Sequence, residues 1–520
     1  MSDLIIGLDI GTTTTKIAIF DIDNKTYFAV IREYKLYTPK PGWIEIDAEE
    51  LWGNILEGIK ECINKSHFNP KDIKAISYSV LGCAVVPIDK NGRTLYSFIE
   101  GWDSRDNGYK KYFDLLYELI GEYKLFEITG NFLVYSSLNK ILWIRDNKKD
   151  IFKKVWKFLC AGDFITYKLT GELAIDYSMA STMMISDIRK YDYSFEILNK
   201  CNLDKILFAD IFPAGKIVGS IKKEIAEITG LNKETKVITG SHDQTCAALG
   251  VGNIREGIVS DGLGTVECVG ITVDKPRTTK TMMKNKQPCY PHAVKNKYFS
   301  FGVQLTYGMM LRWYKDVFCK EEVRLSRDSN KDIYDIIIEN AAKSYPGSRG
   351  IFVLPHLRGS GTGLYPPLNV FSKCSIIGLN VSHNKDDVSR AILEGVAFES
   401  KVIIEGLLKT GIKIDEIRAT GGATKSDFWL QIRANIINKK ILVPKFKDAG
   451  LMGAIILACI GTGIFKSEKE AVENLIEIEK EIYPQNKEIV DFYNYCYEIY
   501  KKIFPRLLPL YDDIKDLDYK

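Results

Sequence analysis

The apolar positions near the start of the chain fall into two short runs separated by a turn. Residues 4–9 are mostly apolar, residues 11–15 are one Gly and four Thr, and residues 16–21 are again largely apolar. Two apolar runs joined by a short polar turn predict a β-hairpin. We therefore expect a buried strand, a tight turn and a returning strand here.

A helical pattern follows this hairpin. Asp47 and Glu50 have the spacing of a capping box, so we expect a helix to start at Asp47. Its apolar residues recur at helical spacing and would share one face: Leu51, Ile55, Ile59 and Ile63. Residues 73–79 then return to a strand pattern. Alternation of strands and helices is typical of an α/β fold.

The hairpin pattern recurs midway along the chain. Residues 257–261 form an apolar run that ends in Asp, and residues 262–265 carry the Gly and Thr of a turn. Residues 266–273 are again largely apolar. A repeat of this kind predicts two similar domains that face each other.

The repeat also sets the expected domain limits. We place the boundary near residues 245–257, where no Pro-rich or Ser-rich linker occurs. The expected domains are residues 1–250 and residues 251–520, closely coupled to each other. Residues 486–504 carry many Tyr on one side and predict an amphipathic helix at the end of the second domain.

Composition excludes several classes of protein. The chain has 520 residues, of which 46% are hydrophobic and 27% charged, and its net charge is +4. These values are ordinary for a globular protein, and no basic stripe indicates a nucleic-acid partner. The longest uncharged stretch, residues 451–465, is shorter than the roughly 20 residues that span a bilayer, so it predicts a buried helix and no membrane partner.

The cysteines indicate a reducing compartment. The chain has 11 of them, an odd number, and no C-x-x-C pair, which argues against a zinc ribbon or a thioredoxin motif. The first residues lack the basic and apolar regions of a signal peptide. We therefore expect free thiols and a cytoplasmic location.

Several common nucleotide-binding motifs are missing from the sequence. It has no G-x-x-x-x-G-K-[ST] loop, no protein-kinase signature set and no G-x-G-x-x-G after a strand. Four other segments rich in Gly, Asp and Thr are the remaining candidates for chemistry.

The first segment runs from Asp9 to Lys16, in the turn of the first hairpin. Successive backbone N–H groups in a Gly-containing turn can bind an anion, and the Thr hydroxyls add donors. An Asp beside phosphates can hold Mg²⁺ directly or through water. Taken alone, the segment also fits an ordinary hairpin turn.

The second segment, residues 240–250, contains Asp243. This Asp lies between a strand pattern at residues 236–239 and the start of a helix rich in small residues. An Asp at such a position can cap the helix or act as a general base at a domain interface. The neighbouring His242 can contact substrate, tune the base or fill a structural role.

The third and fourth segments lie in the second half of the chain. Residues 261–265 repeat the Asp, Gly and Thr pattern and could bind the other side of the same phosphates. Residues 420–426 contain Gly421 and Gly422, which permit close approach of the backbone to a flat ligand such as adenine. A strand-to-helix turn capped by Ser426 is the alternative.

Together the four segments resemble the FGGY family of carbohydrate kinases, which includes xylulose, fuculose and glycerol kinases, within the actin/Hsp70/hexokinase-like superfamily. The resemblance runs from Ile5 to about Gly463 in matching order and spacing. It implies an α/β fold of two ribonuclease-H-like domains around a deep cleft. It also implies that residues 1–250 bind the sugar and residues 251–520 bind the nucleotide.

The resemblance assigns a role to each segment, with ATP and Mg²⁺ as cofactors. Asp243 corresponds to the catalytic base and Asp9 to the residue that holds Mg²⁺. The implied binding residues for the ATP phosphates are Gly11, Thr12, Thr13, Thr14, Gly264 and Thr265. The implied binding residues for adenosine are Gly308, Gly421, Gly422, Ala423 and Ser426.

A sugar-binding segment is implied as well. Residues 102–105 resemble the family's W-x-D-x-R motif, although Gly101 stands two residues before Asp103 and the Trp is shifted by one. Asp and Arg suit ligands rich in hydroxyl groups because charge-assisted hydrogen bonds fix their orientation. The implied sugar-binding residues are Cys83, Trp102, Asp103, Arg105, Asp243 and Gln244.

The positions that would set the substrate differ from two well-known family types. D-Xylulose kinases carry Met-His-Gly where this chain has Gly-Cys-Ala at residues 82–84, and the Arg-Glu pair of glycerol kinases is missing. Residues 262–267 and 290–292 are more similar to fuculose or L-xylulose kinases. The implied reaction transfers the γ-phosphate of ATP to a hydroxyl group of a small ketose or polyol, above all a pentulose or deoxyhexulose.

Two other functions remain open at this point. A non-catalytic, ATP-driven switch of the actin/Hsp70 type would act on a protein partner. A degenerate sugar-binding protein would keep the fold without catalysis. The Asp at position 243 argues against both. The expected partners are a small sugar or polyol and, as is usual in the family, a second copy of the chain in a homodimer.

Overall fold

Two seven-stranded β-sheets, one in each half of the chain, form the frame of the described part of the molecule. The structure is a computed structural model that describes residues 3–361, 371–514 and 517. The outermost residues of both expected domain ranges therefore lie outside the described residues.

Within the described residues, the first half of the chain contains sixteen strands, of which seven form the first sheet. Its strands are β1 (Leu4–Ile10), β2 (Thr14–Asp21), β3 (Thr26–Glu33), β4 (Leu36–Tyr37), β5 (Glu45–Ile46), β6 (Ile73–Val80), β7 (Val86–Ile88), β8 (Phe98–Ile99), β9 (Lys157–Leu159), β10 (Ala174–Asp176), β11 (Ser186–Asp187), β12 (Asp192–Tyr193), β13 (Asp210–Phe212), β14 (Ile217–Ser220), β15 (Lys236–Ile238) and β16 (Ser241–His242). Its helices are α1 (Ala48–Lys65), α2 (Arg105–Gly108), α3 (Lys110–Leu119), α4 (Glu122–Thr129), α5 (Ser137–Asn147), α6 (Lys149–Phe152), α7 (Ala161–Thr170), α8 (Tyr177–Thr182), α9 (Phe195–Lys200), α10 (Lys223–Thr229) and α11 (Asp243–Gly250).

The described part of the second half contains nine strands, of which seven form the second sheet. Its strands are β17 (Gly257–Leu263), β18 (Glu267–Val273), β19 (Cys289–Pro291), β20 (Tyr298–Gln304), β21 (Phe352–Leu354), β22 (Ser375–Ile377), β23 (Ile414–Thr420), β24 (Lys440–Pro444) and β25 (Ile478–Ile482). Its helices are α12 (Lys280–Lys284), α13 (Tyr307–Phe318), α14 (Lys320–Ser329), α15 (Ile333–Lys343), α16 (Lys385–Leu408), α17 (Asp427–Ile437), α18 (Ala449–Thr462), α19 (Glu468–Leu475), α20 (Lys487–Tyr500) and α21 (Ile503–Ile514).

The first sheet contains the hairpin expected at the start of the chain. β1 pairs antiparallel with β2, which sets Asp9 opposite Lys16, and parallel with β6, which sets Asp9 beside Ser79. The strand order is β3-β2-β1-β6-β15-β14, and the short β16 also pairs with β6. The three strands expected from the apolar runs are confirmed.

The second sheet repeats this order. β17 pairs antiparallel with β18 and parallel with β23, as β1 does with β2 and β6. The full order is β19-β20-β18-β17-β23-β24-β25. From β20 to β25 the second sheet has the same series of pairings as the first sheet has from β3 to β14: two antiparallel, two parallel and one antiparallel. Strand β19 adds one further antiparallel pairing at the edge of the second sheet. The internal repeat inferred from the two hairpins is therefore confirmed.

Helix α1 starts as its sequence indicates, but its cap differs in one bond. The side chain of Asp47 accepts hydrogen bonds from the backbone N–H groups of Glu49 and Glu50. The second hydrogen bond of a capping box, from the Asp47 N–H to the Glu50 side chain, is not made. The Glu50 carboxylate instead accepts a hydrogen bond from the Tyr37 hydroxyl at 2.9 Å. The predicted apolar face is buried, at Leu51, Ile55, Ile59 and Ile63.

Helix α18 comes from the second half of the chain but packs on the first sheet. It lies against β1, β6 and α11. The crossing with α11 is close: a Cβ atom on Gly453 would lie 2.0 Å from the carbonyl oxygen of Cys246, and one on Gly250 would lie 1.9 Å from that of Ala449. Only glycine allows two helix backbones to approach this closely. The buried helix expected from the uncharged stretch is confirmed.

The C-terminal helix is also confirmed. It is α20, which buries Tyr493, Tyr497 and Tyr500 against the second half of the molecule. Among the described residues, no helix combines the length and the apolar character that crossing a membrane would need.

Candidate active site

A cavity of about 560 Å³ lies between the two halves, with walls from both. The sequence predicted several of its residues, and the structure brings them together from segments far apart in the chain. Those that line the cavity are Thr12, Cys83, Trp102, Asp243, Gln244, Gly264 and Gly421. The other predicted residues lie in the turns beside the cavity or behind its wall, as described below.

Asp243 is the first residue of α11, and its carboxylate faces the cavity. The position of this helix end is set by β16, which pairs with β6 through Ser241 and His242. The alternative that Asp243 caps the helix is wrong, because the cap position is His242 and no side chain makes the cap bond. The Asp243 Oδ1 atom is buried and has no hydrogen-bond partner among the described residues.

His242 touches both Asp243 and a residue of the other half. Its Nε2 atom lies 3.1 Å from Asp243 Oδ1. Its Nδ1 atom lies 2.9 Å from the hydroxyl of Tyr290, which belongs to β19 in the second sheet. Burial lowers the pKa of His242 and outweighs the opposite effect of the Asp243 charge. The imidazole is therefore neutral at pH 7.

Asp9 lies near the end of β1, close to charged side chains from both halves of the chain. Lys16 bonds Asp448 at 2.7 Å and lies 3.9 Å from Asp9. Burial, followed by the charge of Asp448, raises the pKa of Asp9 to about 6. A cation beside Asp9 would offset this cost of holding a buried negative charge.

The donor set around Asp9 fits Mg²⁺ rather than a metal held by the protein alone. Among the described residues, no group of three or more His, Cys, Asp or Glu side chains is arranged to hold a metal ion. Mg²⁺ usually binds through one or two carboxylates and takes its other ligands from water and phosphates. The partly buried carboxylate of Asp9, next to a turn that is expected to bind phosphates, fits a site of that kind.

The turn after Asp9 is tied down by Tyr34. The Gly11 N–H donates to the Thr14 carbonyl at 2.9 Å, which closes the turn. The Tyr34 hydroxyl donates to the Gly11 carbonyl, and the Tyr34 N–H donates to the Thr13 carbonyl at 3.0 Å. Thr13 is exposed at the tip, whereas Thr12 faces the cavity. The turn therefore offers a fixed edge to an anionic group.

The second turn expected to bind phosphates, Gly264-Thr265, is exposed and packs against the start of α13. The Gly308 N–H donates to the Gly264 carbonyl at 3.0 Å. A Cβ atom on Gly308 would lie 2.7 Å from that carbonyl, so only glycine fits there. Gly308 thus supports the turn rather than lining the cavity.

A buried cluster of charged side chains supports the second hairpin, which is formed by β17 and β18. Arg433 is fully buried and bonds both Asp261, at 2.6 Å, and Glu267. These carboxylates stand at the ends of β17 and β18, on either side of the turn. The cluster fixes the turn because a buried charge that lost its partner would be strongly destabilising.

The segment predicted to bind adenosine forms an open edge. Gly421 has φ +98°, and a Cβ atom on it would lie 2.4 Å from the carbonyl oxygen of Leu263. Gly422 has no atom within 4 Å of such a position, so its surface is open. Ala423 is buried, and Ser426 caps α17 by accepting from the Trp429 N–H at 3.1 Å. The capping interpretation of Ser426 is confirmed.

The two charged residues of the predicted sugar segment lie behind the cavity wall. Asp103 and Arg105 are buried and bond each other at 2.8 Å. Arg105 also bonds Glu45 at 2.9 Å and lies between the rings of Trp43 and Trp143. Their direct contact with sugar, expected from the motif, is not supported, because neither residue lines the cavity.

Trp102 of the same segment does reach the cavity, with 45% of its surface exposed. The residue two before it, Glu100, also lines the cavity and was missed. Its carboxylate accepts from the Trp102 N–H and, at 3.4 Å, from the Thr12 hydroxyl. The sequence does carry one signal for Glu100: it is an acidic residue directly after a buried apolar strand.

Lys140 and Asp448 were missed too. Lys140 is buried, and its Nζ atom donates to the carbonyls of Cys83 at 3.0 Å and Gly101 at 3.4 Å. It joins the two loops that carry Cys83 and Gly101. The sequence signal that could have identified Lys140 is its position as the one charged residue in the largely apolar run at residues 138–144. Asp448 has no local signal, because its role depends on Lys16 far away in the chain.

Two domain models of one family match the chain. Residues 4–250 match the N-terminal domain, and residues 262–462 the C-terminal domain, of the FGGY family of carbohydrate kinases. Together these matches cover most of the chain, and residues 251–261, which lie between them, include the start of β17.

Individual proteins are similar over nearly the full length. The xylulose kinase of Staphylococcus epidermidis is 28% identical over 520 residues, 99% of each chain. The gluconokinase of Bacillus subtilis is 29% identical over 479 residues, 92% of this chain and 91% of that one. The crystal structure of gluconate kinase from Lactobacillus acidophilus has a TM-score of 0.88 at 26% identity and covers 99% of this chain and 100% of its own. This chain therefore belongs to the FGGY family of carbohydrate kinases, phosphotransferases whose acceptor is an alcohol group.

Proposed function

We propose that this protein transfers the γ-phosphate of ATP to a hydroxyl group of a small neutral ketose or polyol, with Asp243 as the general base. The observation that carries the proposal is the state of the Asp243 carboxylate. It faces the cavity between the two halves, and its buried Oδ1 atom has no hydrogen-bond partner among the described residues. The side chain is 36% exposed, so the carboxylate can be reached from the cavity and is available to accept a proton from a bound hydroxyl.

In this mechanism the first half of the chain binds and activates the sugar. Asp243 accepts the proton of the attacking hydroxyl, which contributes about 10²–10⁴-fold in rate for a positioned base. Trp102 offers an exposed ring to the carbon face of the sugar, and Gln244 adds an amide beside the base. Cys83 lines the same wall as a neutral thiol, since burial raises its pKa to about 12.

The two Gly-Thr turns bind the phosphates in this proposal. Backbone N–H groups and hydroxyls at residues 11–14 and 264–265 would stabilise charge on the group in transfer. Asp9 would hold Mg²⁺, which neutralises charge on the phosphate oxygens when it is bound. The open backbone at Gly421 and Gly422 would accommodate adenosine. Residues 1–250 then serve the sugar and residues 251–520 the nucleotide.

The charge of the cavity favours a neutral substrate over a sugar acid. Glu100 and Asp243 both present carboxylates to it. The cations in its described wall are already paired: Lys286 with Glu122 at 2.9 Å, and Lys447 with Glu479. Hydroxyl groups can donate hydrogen bonds to these carboxylates, whereas a carboxylate substrate would be repelled by them. We infer a pentulose or deoxyhexulose rather than an aldonate such as gluconate.

The proposed location is the cytoplasm. All 11 cysteines lie in the described residues, and all are free. Free thiols throughout a chain are typical of proteins kept in a reducing compartment. The homodimer that is usual in the family stays a prediction.

The test is a panel assay of ADP release with Mg-ATP. Neutral acceptors are D- and L-xylulose, D- and L-ribulose, L-fuculose, L-rhamnulose, glycerol and erythritol, and D-gluconate is the anionic comparison. Activity with a neutral ketose or polyol and none with gluconate is expected. Activity with gluconate alone would overturn the substrate class.

Asp243→Asn tests the base. It should retain ATP binding and lose at least about 10²-fold in turnover. The matched control is Asp150→Asn, the same change at a carboxylate whose side chain is 96% exposed. Full turnover in Asp243→Asn, or ATP hydrolysis that does not depend on any acceptor, would reject the mechanism and favour an ATP-driven switch.

A further inference from the structure

Three side chains form a line that crosses from the second sheet to the proposed base. The Tyr290 hydroxyl lies 2.9 Å from His242 Nδ1, and His242 Nε2 lies 3.1 Å from Asp243 Oδ1. Tyr290 is 1% exposed, and the His242 side chain is 12% exposed. Nothing in the proposed function so far uses Tyr290 or His242.

The imidazole is held in place on both sides. The His242 N–H donates to the Ser178 hydroxyl at 2.9 Å, which fixes the backbone. On the other side the ring packs on Gly82, where a Cβ atom would lie 2.5 Å from Nε2 and 2.6 Å from Cδ2. A side chain at residue 82 would push the ring away from Asp243. The contact between His242 and Asp243 is therefore built into the fold.

The hydrogen on the ring can be assigned from charge. Burial raises the pKa of Tyr290 well above its usual value, so its hydroxyl keeps its hydrogen. If this hydroxyl donates to Nδ1, the neutral ring carries its hydrogen on Nε2 and points it toward the Asp243 carboxylate. The opposite tautomer would set the lone pair of Nε2 against that carboxylate, which is electrostatically unfavourable.

We propose that Tyr290 and His242 are positioning residues for Asp243, with Tyr290 fixing the Nε2–H tautomer of His242 and His242 orienting the carboxylate toward the acceptor hydroxyl. This inference rests on the proposed function of Asp243. It adds that a residue of the nucleotide side orients the base of the sugar side. The 3.1 Å approach does not satisfy hydrogen-bond geometry in this conformation. Catalytic hydrogen bonds commonly align only when the substrate is bound.

The kinetic test uses two variants that differ in where they leave a polar atom. In His242→Gln the amide can reach the position of Nε2, which preserves a donor to Asp243. In His242→Asn the amide can reach only the position of Nδ1, so that donor is lost. His242→Asn should lower kcat about 10- to 100-fold, as expected for a misplaced catalytic group, with little change in the KM for ATP. His242→Gln should recover most of the loss.

Two further variants separate positioning from packing. Tyr290→Phe should lower kcat by about 10-fold, because the ring loses its fixed tautomer while its packing is kept. His67→Asn, the same change at an exposed histidine, is the control and should behave as the wild type. In an Asp243→Asn background, His242→Asn should cause no further loss, because both act through one carboxylate.

Failure of this inference can be told apart from failure of the proposed function. If Asp243→Asn abolishes turnover but His242→Asn and Tyr290→Phe do not reduce it, the base stands and the positioning role is wrong. If no acceptor is phosphorylated, the tautomer is still measurable from the ¹⁵N shifts of labelled histidine. The chain has only 5 histidines, and loss of a signal in His242→Gln identifies the resonance. A neutral Nε2–H ring that changes in Tyr290→Phe supports the inference. An Nδ1–H or charged ring at pH 7 overturns it.

Discussion

Asp9, at the end of the first strand, lies directly against Gly450 in the second half of the chain. A Cβ atom on Gly450 would lie 2.6 Å from Asp9 Oδ1 and 2.9 Å from Ser79 Oγ. The proposed Mg²⁺ carboxylate therefore depends on a glycine that follows it by more than four hundred residues. Gly450 is the second residue of the helix that packs on the first sheet.

Gly450→Ala should displace the Asp9 carboxylate. We expect a lower kcat and a higher Mg²⁺ concentration for half-maximal activity, with little change in the KM for sugar. Titration of activity with Mg²⁺ at saturating ATP and sugar would measure both. The control is Gly463→Ala, at the end of the same helix, where no atom lies within 4 Å of a Cβ. This control residue has φ +77°, so it reports the cost of strain alone. An unchanged Mg²⁺ requirement in Gly450→Ala would argue against Asp9 as the metal residue.

Glu100→Gln should reduce the preference for neutral substrates. Removal of its negative charge lowers the repulsion of a sugar acid and weakens the bonds to sugar hydroxyls. We expect the ratio of kcat/KM for a neutral ketose to that for D-gluconate to fall by about 10-fold, which corresponds to ~1.4 kcal/mol. Kinetics with both acceptors would measure it. A ratio equal to that of the wild type would place Glu100 outside the sugar contacts.

Trp102→Ala should raise the KM for sugar more than it lowers kcat. The exposed ring lies at the cavity and offers a flat apolar face, whose loss costs mainly ground-state binding. The KM for ATP should stay within about twofold, because the phosphate turns are untouched. Sugar and ATP saturation curves on the purified variant would decide. An unchanged KM for sugar would contradict the placement.

Arg105→Met should act on stability. It leaves Asp103 and Glu45 in a buried site without their cation, and loss of one partner of a buried pair costs about 3–5 kcal/mol in the free energy of unfolding. Denaturant unfolding would measure this. Lys110→Ala, which breaks an exposed pair with Asp114, should change it by about 0.5 kcal/mol or less. If Arg105→Met instead kept full stability and raised only the KM for sugar, a direct sugar contact would be restored as the explanation.

Acid should destabilise the protein partly through His292. This ring is buried, and burial lowers its pKa from 6.5 to about 3. Between these values the unfolded chain binds a proton that the folded protein does not, so stability falls as the pH drops below 6.5. The expected loss at pH 5 is about 2 kcal/mol relative to pH 7.5.

His292→Asn removes this titration while keeping an acceptor for the Val294 N–H, which bonds the ring at 3.2 Å. The variant should therefore show a smaller difference in unfolding free energy between pH 7.5 and pH 5 than the wild type. Urea midpoints at the two pH values would measure it. An equal difference in both proteins would assign the acid sensitivity to other groups.

The sequence predicted those parts of the fold and site that depend on local pattern. The two hairpins, the helix after Asp47 and the Gly-Thr turns each follow from residues close together in the chain. Asp243 could be singled out because a lone Asp at a strand-to-helix junction has few roles. Only the structure could exclude the cap, since that depends on whether the carboxylate bonds its own helix, and the role of Asp243 as base stays a prediction.

The parts that could not be predicted depend on contacts between distant segments. Asp103 and Arg105 have the composition of a sugar-binding loop, but sequence does not reveal that Glu45 and two Trp rings enclose them. Asp448 pairs with Lys16, and Tyr290 contacts His242. None of these partners is near its residue in the chain, so no local pattern could indicate the pair.

The crossing of α11 and α18 has a consequence for how the molecule comes apart. Because residues 449–462 cover an apolar surface of the first sheet, a chain that ended before them would leave residues such as Ile5 and Ala75 without their cover. The N-terminal half is thus incomplete as a folding unit until nearly the whole polypeptide has been synthesised. The two halves should unfold in a single cooperative transition, and a cut between them should yield no stable fragment.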